Sequence, residues 1–166
     1  MITLRPIATT DASAVADAVA QSRDALRRWM VWYHEGYDAR DAVAWIDASL
    51  AAAAAGDGAQ FAVLSDTRSL IGVIGLEGMS EGTGRAMLGY WLATPAAGRG
   101  IGRQAIALAL DWARAQPHIL VVWAVAADAN LPSRRVLEAN HFHFVGSGGV
   151  DERGDLALLY ELELRP

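Results

Sequence analysis

The sequence predicts an α+β fold, a mixed sheet with helices laid on its faces, and three observations predict it. Hydrophobic spacing passes along the chain from helical periods to short β-branched runs and back again. A glycine-rich segment, Gly98 to Arg103, joins an apolar strand directly to a helical stretch. A nearly continuous apolar run, Ile119 to Val125, reads as a strand buried on both faces and lies between two helical stretches.

Taken in order, Ile2 to Arg5 alternates apolar and polar residues and reads as a first strand. Asp11 then offers an N-cap for a helix with Val15, Ala18, Val19 and Leu26 on its inner face. A second helix is expected from Asp38, with Asp38 and Asp41 placing negative charge in its first turn. It runs through Val43, Ile46 and Leu50 to Gly56, and the alanines from Ala51 to Ala55 favour it. After Gly56-Asp57-Gly58, three runs read as an antiparallel meander: Phe61 to Leu64, Ile71 to Leu76 and Ala86 to Leu92. From Gly100 the period is helical again, with Ile101, Ala105, Leu108 and Trp112 facing a core until Pro117 stops the helix. The Ile119 to Val125 strand, a helix from Asn130 to Asn140, and strands around Phe144 and from Leu156 to Leu164 complete the order β-α-α-β-β-β-α-β-α-β-β.

Composition bounds the function. With 166 residues, 53% of them apolar, the chain suits one globular domain spanning residues 1–166. A net charge of −5 sets up a field that repels nucleic acids and mildly favours a cationic partner. The absence of cysteine removes disulfides, thiolate metal sites and a cysteine nucleophile, and a cytoplasmic location is the simplest expectation. Met1-Ile2-Thr3-Leu4-Arg5-Pro6 lacks the pattern of a signal peptide, and no apolar run approaches the roughly 18 to 20 residues of a membrane span. A soluble protein without membrane or nucleic-acid partners is therefore expected. His141 and His143 stand two apart, yet nothing nearby completes a metal site, and no metal is expected.

The most informative segment is the glycine loop, Gly98-Arg99-Gly100-Ile101-Gly102-Arg103. Glycines let backbone approach a ligand and adopt positive φ, while the free N–H groups and dipole of a helix N-terminus favour phosphate. Arg99 and Arg103 add positive charge where an acidic protein would otherwise repel an anion. A nucleoside-triphosphate loop would end in Gly-Lys-Ser/Thr, whereas Gly102 is followed by Arg103-Gln104. A dinucleotide fold needs Gly-x-Gly-x-x-Gly after its first strand, whereas Gly100-Ile101-Gly102 runs on to Ala105 late in the chain.

With this loop, the chain resembles the GNAT superfamily of N-acetyltransferases, and most closely its branch that acetylates the N-termini of ribosomal proteins. Gly89-Tyr90-Trp91-Leu92 followed by Arg99-Gly100-Ile101-Gly102 is similar to the family's cofactor motif, Gln/Arg-x-x-Gly-x-Gly/Ala. Asn130-Leu131-Pro132-Ser133-Arg134-Arg135-Val136-Leu137-Glu138 resembles its Asn-x-x-Ser-x-x-x-Leu-Glu helix. Leu26-Arg27-Arg28-Trp29-Met30-Val31-Trp32 resembles the tryptophan pair common in this branch. Two positions depart from the pattern: Ala97 replaces the usual Gln or Arg, and His141 replaces the usual Gly before Phe142, leaving Asn140 to take the left-handed position that ends the helix.

The resemblance implies a GNAT-like, mostly antiparallel sheet with helices on both faces and a central splay between two strands. It implies acetyl-coenzyme A as cofactor, held by Gly98, Arg99, Gly100, Ile101, Gly102 and Arg103, and direct attack of a primary amine on the thioester. A bulge in the strand before the loop would free a backbone N–H near Leu92 or Ala93 for the acetyl oxygen. Ser133 is the candidate proton source for the departing thiolate, and Asn130, one turn earlier, would bind the pantetheine arm. The alternative is that both residues merely begin the helix, with Asn130 as its N-cap, a role compatible with the first. The sequence places no tyrosine near this helix. Glu77, at the end of the Ile71 to Leu76 run, is the candidate base and acceptor contact near the splay, and equally suits a solvated strand end; His34 and Glu35 stand behind it. Trp29, Trp32 and Tyr33 are candidate walls of the acceptor pocket, with Trp29 and Trp32 equally suited to the core. Trp45, Trp112 and Trp123 read as core. The acceptor is a protein N-terminus or a small amine, the state monomer or homodimer, and a non-catalytic acyl-coenzyme A binding or sensing module is the alternative.

Overall fold

The computed structural model describes residues 1–79, 82–151 and 153–165. Its strands are β1 (Thr3–Pro6), β2 (Gly58–Leu64), β3 (Leu70–Glu77), β4 (Arg85–Leu92), β5 (Val121–Ala127), β6 (His143–Val150) and β7 (Leu156–Glu163). Its helices are α1 (Ala12–Ala20), α2 (Arg23–Trp29), α3 (Ala39–Ala54), α4 (Ile101–Arg114) and α5 (Leu131–Glu138). The strands form one sheet in the order β1-β2-β3-β4-β5-β7-β6, antiparallel throughout except for β4 beside β5. This is the mixed α+β architecture that the sequence predicts, and mostly antiparallel as the family resemblance implies. Among the described residues no helix is long and apolar enough to cross a membrane.

One predicted helix is two. The stretch after Asp11 breaks at Ser22, whose buried hydroxyl donates to the Ala18 carbonyl at 2.8 Å and accepts from the Thr94 N–H at 2.9 Å. A side chain that satisfies backbone groups on two segments competes with continued helix, so α2 sets off in a new direction and carries Leu26 into the core. Asp11 precedes α1 but its carboxylate does not cap it; it accepts instead from Arg5 at 2.7 Å and from the Ala8 N–H at 2.8 Å.

Apolar layers cover both faces of the sheet. On one, Ile74, Leu76, Leu88 and Val122 meet Ala105, Ile106 and Leu110 of α4 and Leu137 of α5. On the other, Ala62, Val73 and Trp91 meet Val15 and Val19 of α1 and Ile46 of α3. The predicted stripes of two helices are rotated. In α4 the buried line runs through alanines, Ala105, Ala109 and Ala113, with Ile106 and Leu110, while Leu108 is 38% exposed. In α3 Ala42, Ile46 and Ser49 are buried, and Val43 and Leu50 look outward. Small side chains let a helix approach the sheet closely, a preference that hydropathy alone underweights. Likewise β5 is not buried on both faces: Val122, Ala124 and Ala126 are covered, whereas Val125 is 46% exposed. Trp45, Trp112 and Trp123 are half-buried at the margins of the core, and Trp91 is the deeply buried tryptophan.

The consequence for function is the junction of β4 and β5. β3 pairs with β4 in continuous register from Glu77↔Met87 to Gly72↔Leu92, whereas β4 pairs with β5 only from Arg85↔Val121 to Met87↔Trp123. Beyond Met87 the two parallel strands part. The expected bulge is absent from the β3–β4 register; β5 simply diverges from an unbroken β4.

Candidate active site

The loop between β4 and α4 is shaped for an anion. After a short turn at Thr94–Ala96, Gly98 and Gly100 take left-handed backbone angles, φ 76° and 74°. Gly100 is the N-cap of α4 and no side chain caps the helix, so the amides of its first turn have no side-chain partner. Gly102 is buried where that turn meets Tyr90, Leu92 and Val136. Arg99 and Arg103 are exposed, and the ion pairs among the described residues use other arginines.

The strand leading into this loop presents donors to the splay. The Ala93 N–H is spent on the Ile71 carbonyl at 2.8 Å. Amides alternate in direction along a strand, so those of Tyr90 and Leu92 point away from β3, into the opening left by β5. Of the two positions expected to hold the free donor, Leu92 fits and Ala93 does not.

Across the opening, α5 begins with Asn130, whose Oδ1 accepts from the Ser133 N–H at 3.2 Å. Asn130 is thus the N-cap, which leaves its amide Nδ2 for another partner. The Ser133 hydroxyl is half-buried and accepts from the Tyr90 hydroxyl at 3.4 Å. A tyrosine therefore does reach this helix, contrary to expectation: it comes from β4, forty-three positions earlier in sequence. Burial pushes the Tyr90 phenol pKa up, the Ser133 contact acting in the opposite direction, so the phenol is protonated and able to donate at neutral pH. At the far end of α5 it is His141, not Asn140, that takes the left-handed position, φ 67°. Asn140 is buried, with its Nδ2 donating to the Val136 carbonyl at 2.9 Å, and the Phe142 N–H closes the turn on Leu137.

The opposite face of the splay is walled by aromatic rings. Trp32 lies 6.0 Å from Trp91 and 5.7 Å from Tyr37, centroid to centroid, and is 41% exposed. Trp29 is half-buried beneath the Arg28 guanidinium at 4.4 Å, and Tyr33 packs against the α1–α3 core. The β6–β7 turn reaches this wall: Arg28 pairs with Asp155 at 2.5 Å, and Arg153 donates to the Arg28 and Met30 carbonyls. His34 and Glu35 are engaged locally, His34 with the Glu35 carbonyl and Asp41, and Glu35 with Arg27.

Glu77 shares this second face, opposite to Ser133. It pairs with Met87 at the closed end of the splay, five residues or about 17 Å along β4 from Leu92, and accepts from Gln60 Nε2 at 2.7 Å. Beside it Arg85, ion-paired with Glu161, and Trp123 line a cleft of about 560 Å³. Sequence reasoning did not single out Glu161, because only the β5–β7 register brings it opposite Trp123. The larger cleft, about 810 Å³, lies behind the loop between α1 and the β2–β3 turn and includes neither Asn130 nor Ser133; depth alone does not mark the site.

The family described as the acetyltransferase (GNAT) domain matches residues 1–143, and the chain belongs to it. Solved structures share the fold. RimL, described as a ribosomal L7/L12 alpha-N-protein acetyltransferase in complex with coenzyme A, is 18% identical with a TM-score of 0.91, covering 98% of this chain and 93% of its own. The ribosomal-protein-S5-alanine acetyltransferase from Vibrio fischeri is 18% identical with a TM-score of 0.89, covering 99% and 96%. The microcin C7 self-immunity acetyltransferase MccE, in complex with acetyl-CoA and AMP, is 19% identical with a TM-score of 0.89, covering 98% and 92%. No curated protein sequence matches.

Proposed function

We propose that this protein is an acetyl-coenzyme A-dependent N-acetyltransferase that passes the acetyl group to a primary amine by direct attack on the thioester. The observation that carries the reading is the convergence of an uncapped, arginine-flanked helix N-terminus, a strand with inward free amides, and the Asn130–Ser133 helix start around one splay. The donor supplies an activated acyl group and a pyrophosphate, and the loop suits the latter: two left-handed glycines and Arg99 and Arg103 offer amides and charge.

The chain's own residues then divide the work. Leu92 and Tyr90 amides stabilise the developing oxyanion, and the splay aligns amine and thioester, which removes much of the entropic barrier. Ser133 hands a proton to the departing sulfur, with Tyr90 donating to Ser133 from behind. On the other face Trp29, Trp32 and Tyr33 wall the acceptor; Glu77, at the closed end of the splay, lies beyond the reach of one water from an amine beside Leu92, so the amine's proton passes to solvent. The ribosomal-protein acetyltransferases among the similar structures favour a protein N-terminus, and MccE represents other acceptors. The domain spans residues 1–166 and works in the cytoplasm.

The test is a thiol-release assay with acetyl-coenzyme A over a panel of peptides and small amines. Turnover that falls in Ser133→Ala is expected. A second reading, a non-catalytic acyl-coenzyme A sensor, draws on Glu77 being held by Gln60 rather than aimed at the splay. Donor binding without turnover on any amine would favour it and defeat the first.

A further inference from the structure

Mid-strand in β4 stands a glycine that the fold does not require. Gly89 pairs with Gly75, and its backbone lies outside the positive-φ set, so any residue can adopt it. A Cβ built on Gly89 meets nothing within 4 Å, and the position is exposed. Its neighbours differ: at Gly72 a Cβ would lie 2.4 Å from the Trp91 carbonyl, and at Gly75 the Gln60 side chain already fills the space. Glycine inside a strand is destabilising relative to alanine, and where no bulge or tight bend calls for it, it marks a close approach by a ligand or another backbone.

The face identifies which ligand. Along β4, Leu88, Tyr90 and Leu92 pack toward α4 and α5, the side of Ser133, so Met87, Gly89 and Trp91 face the other way. Gly89 therefore forms an open gap between the Met87 and Trp91 side chains, with the Trp32 ring packed at a 55° tilt against Trp91. Across the splay, Val125 stands two residues beyond the last β4–β5 pair, as Gly89 does on its own strand, and is left exposed.

We infer that Gly89 is a specificity-determining residue of the acceptor site: the missing side chain leaves room, beside the reacting nitrogen, for the substituent that carries the amine. The inference rests on the acetyltransferase reading, in which the donor is held by the loop, by backbone amides in the opening and by Asn130 and Ser133 across it, none of them on the face that Gly89 presents. Gly89→Ala and Gly89→Val suit extended strand and leave the fold intact.

The test measures acetyl-coenzyme A affinity, thermal midpoint and kcat/KM for amines graded in bulk beside the nitrogen: butylamine, and peptides beginning with glycine, alanine, serine or leucine. Gly89→Val is expected to lower kcat/KM for the branched acceptors by roughly tenfold relative to butylamine and the glycine peptide, with Gly89→Ala intermediate. Donor affinity stays at the wild-type value, and the thermal midpoint is equal to or above it. Equal losses across the series overturn the inference, as does loss of donor binding, which assigns the glycine to the cofactor instead. Failure of wild-type protein to bind donor is a different result and overturns the acetyltransferase reading itself.

Discussion

Tyr90→Phe removes one oxygen from the site and nothing else. That oxygen donates to Ser133 Oγ at 3.4 Å, longer than the usual hydroxyl–hydroxyl bond, a slack that commonly tightens when a reacting complex forms. A net hydrogen bond of about 0.5–1.5 kcal/mol, realised as Ser133 gives up its proton, corresponds to a fall in kcat of about two- to tenfold. Ser133→Ala removes the proton source itself and is expected to cost about a hundredfold, the lower range for general acid catalysis. If Tyr90 acts only through Ser133, adding Tyr90→Phe to Ser133→Ala costs nothing more. The assay is steady-state thiol release for the two single variants and the double variant, with the acetyl-coenzyme A dissociation constant measured alongside. Fully additive losses in kcat, or a Tyr90→Phe effect confined to donor affinity, would refute the coupling.

Other expectations follow from features around the site. His141→Gly relieves a left-handed histidine, a strain of about 1 kcal/mol, and should raise the thermal midpoint by about 2–4 °C; a lower midpoint would contradict this. Ser22→Ala leaves the Thr94 N–H without its partner and should destabilise by about 1–3 kcal/mol in denaturant unfolding, while loosening the segment that leads to the loop. Burial alone would push the Asp11 carboxyl up, but the bonds from Arg5 and Ala8 outweigh it and hold its pKa below the ordinary range. Its folded pKa being depressed, its contribution to stability is fully present above the unfolded value of about 3.9 and is lost as pH falls through the folded one. Stability measured from pH 6 to pH 2 should therefore slope less steeply at the acid end in Asp11→Asn than in wild type, and parallel curves would count against the pairing.

What the sequence conveyed depended on range. The succession of elements along the chain, the glycine loop and the α5 cap rest on neighbours within a few positions, and Gly100, Asn130 and Ser133 sit where local spacing places them. Tyr90 beside Ser133 was invisible because the contact spans forty-three positions and exists only through the splayed sheet. Helix faces misled where alanine carried the packing, as in α4, because alanine scores weakly yet permits close approach. The break at Ser22 was hidden for a related reason: its cause is a hydrogen bond from Thr94, distant in sequence. The place of Glu77 at a strand end predicts a position near the splay, and the β3–β4 register puts it at the splay's closed end.

The central claim is that the loop after β4 holds the pyrophosphate of an acyl-coenzyme A. Calorimetric titration of acetyl-coenzyme A into wild-type protein and into the Arg99→Glu, Gly100→Asp double variant tests it most directly. The account predicts micromolar binding that disappears in the variant, whose carboxylates stand where the phosphates would lie. Absence of wild-type binding, or equal binding by both proteins, would contradict it.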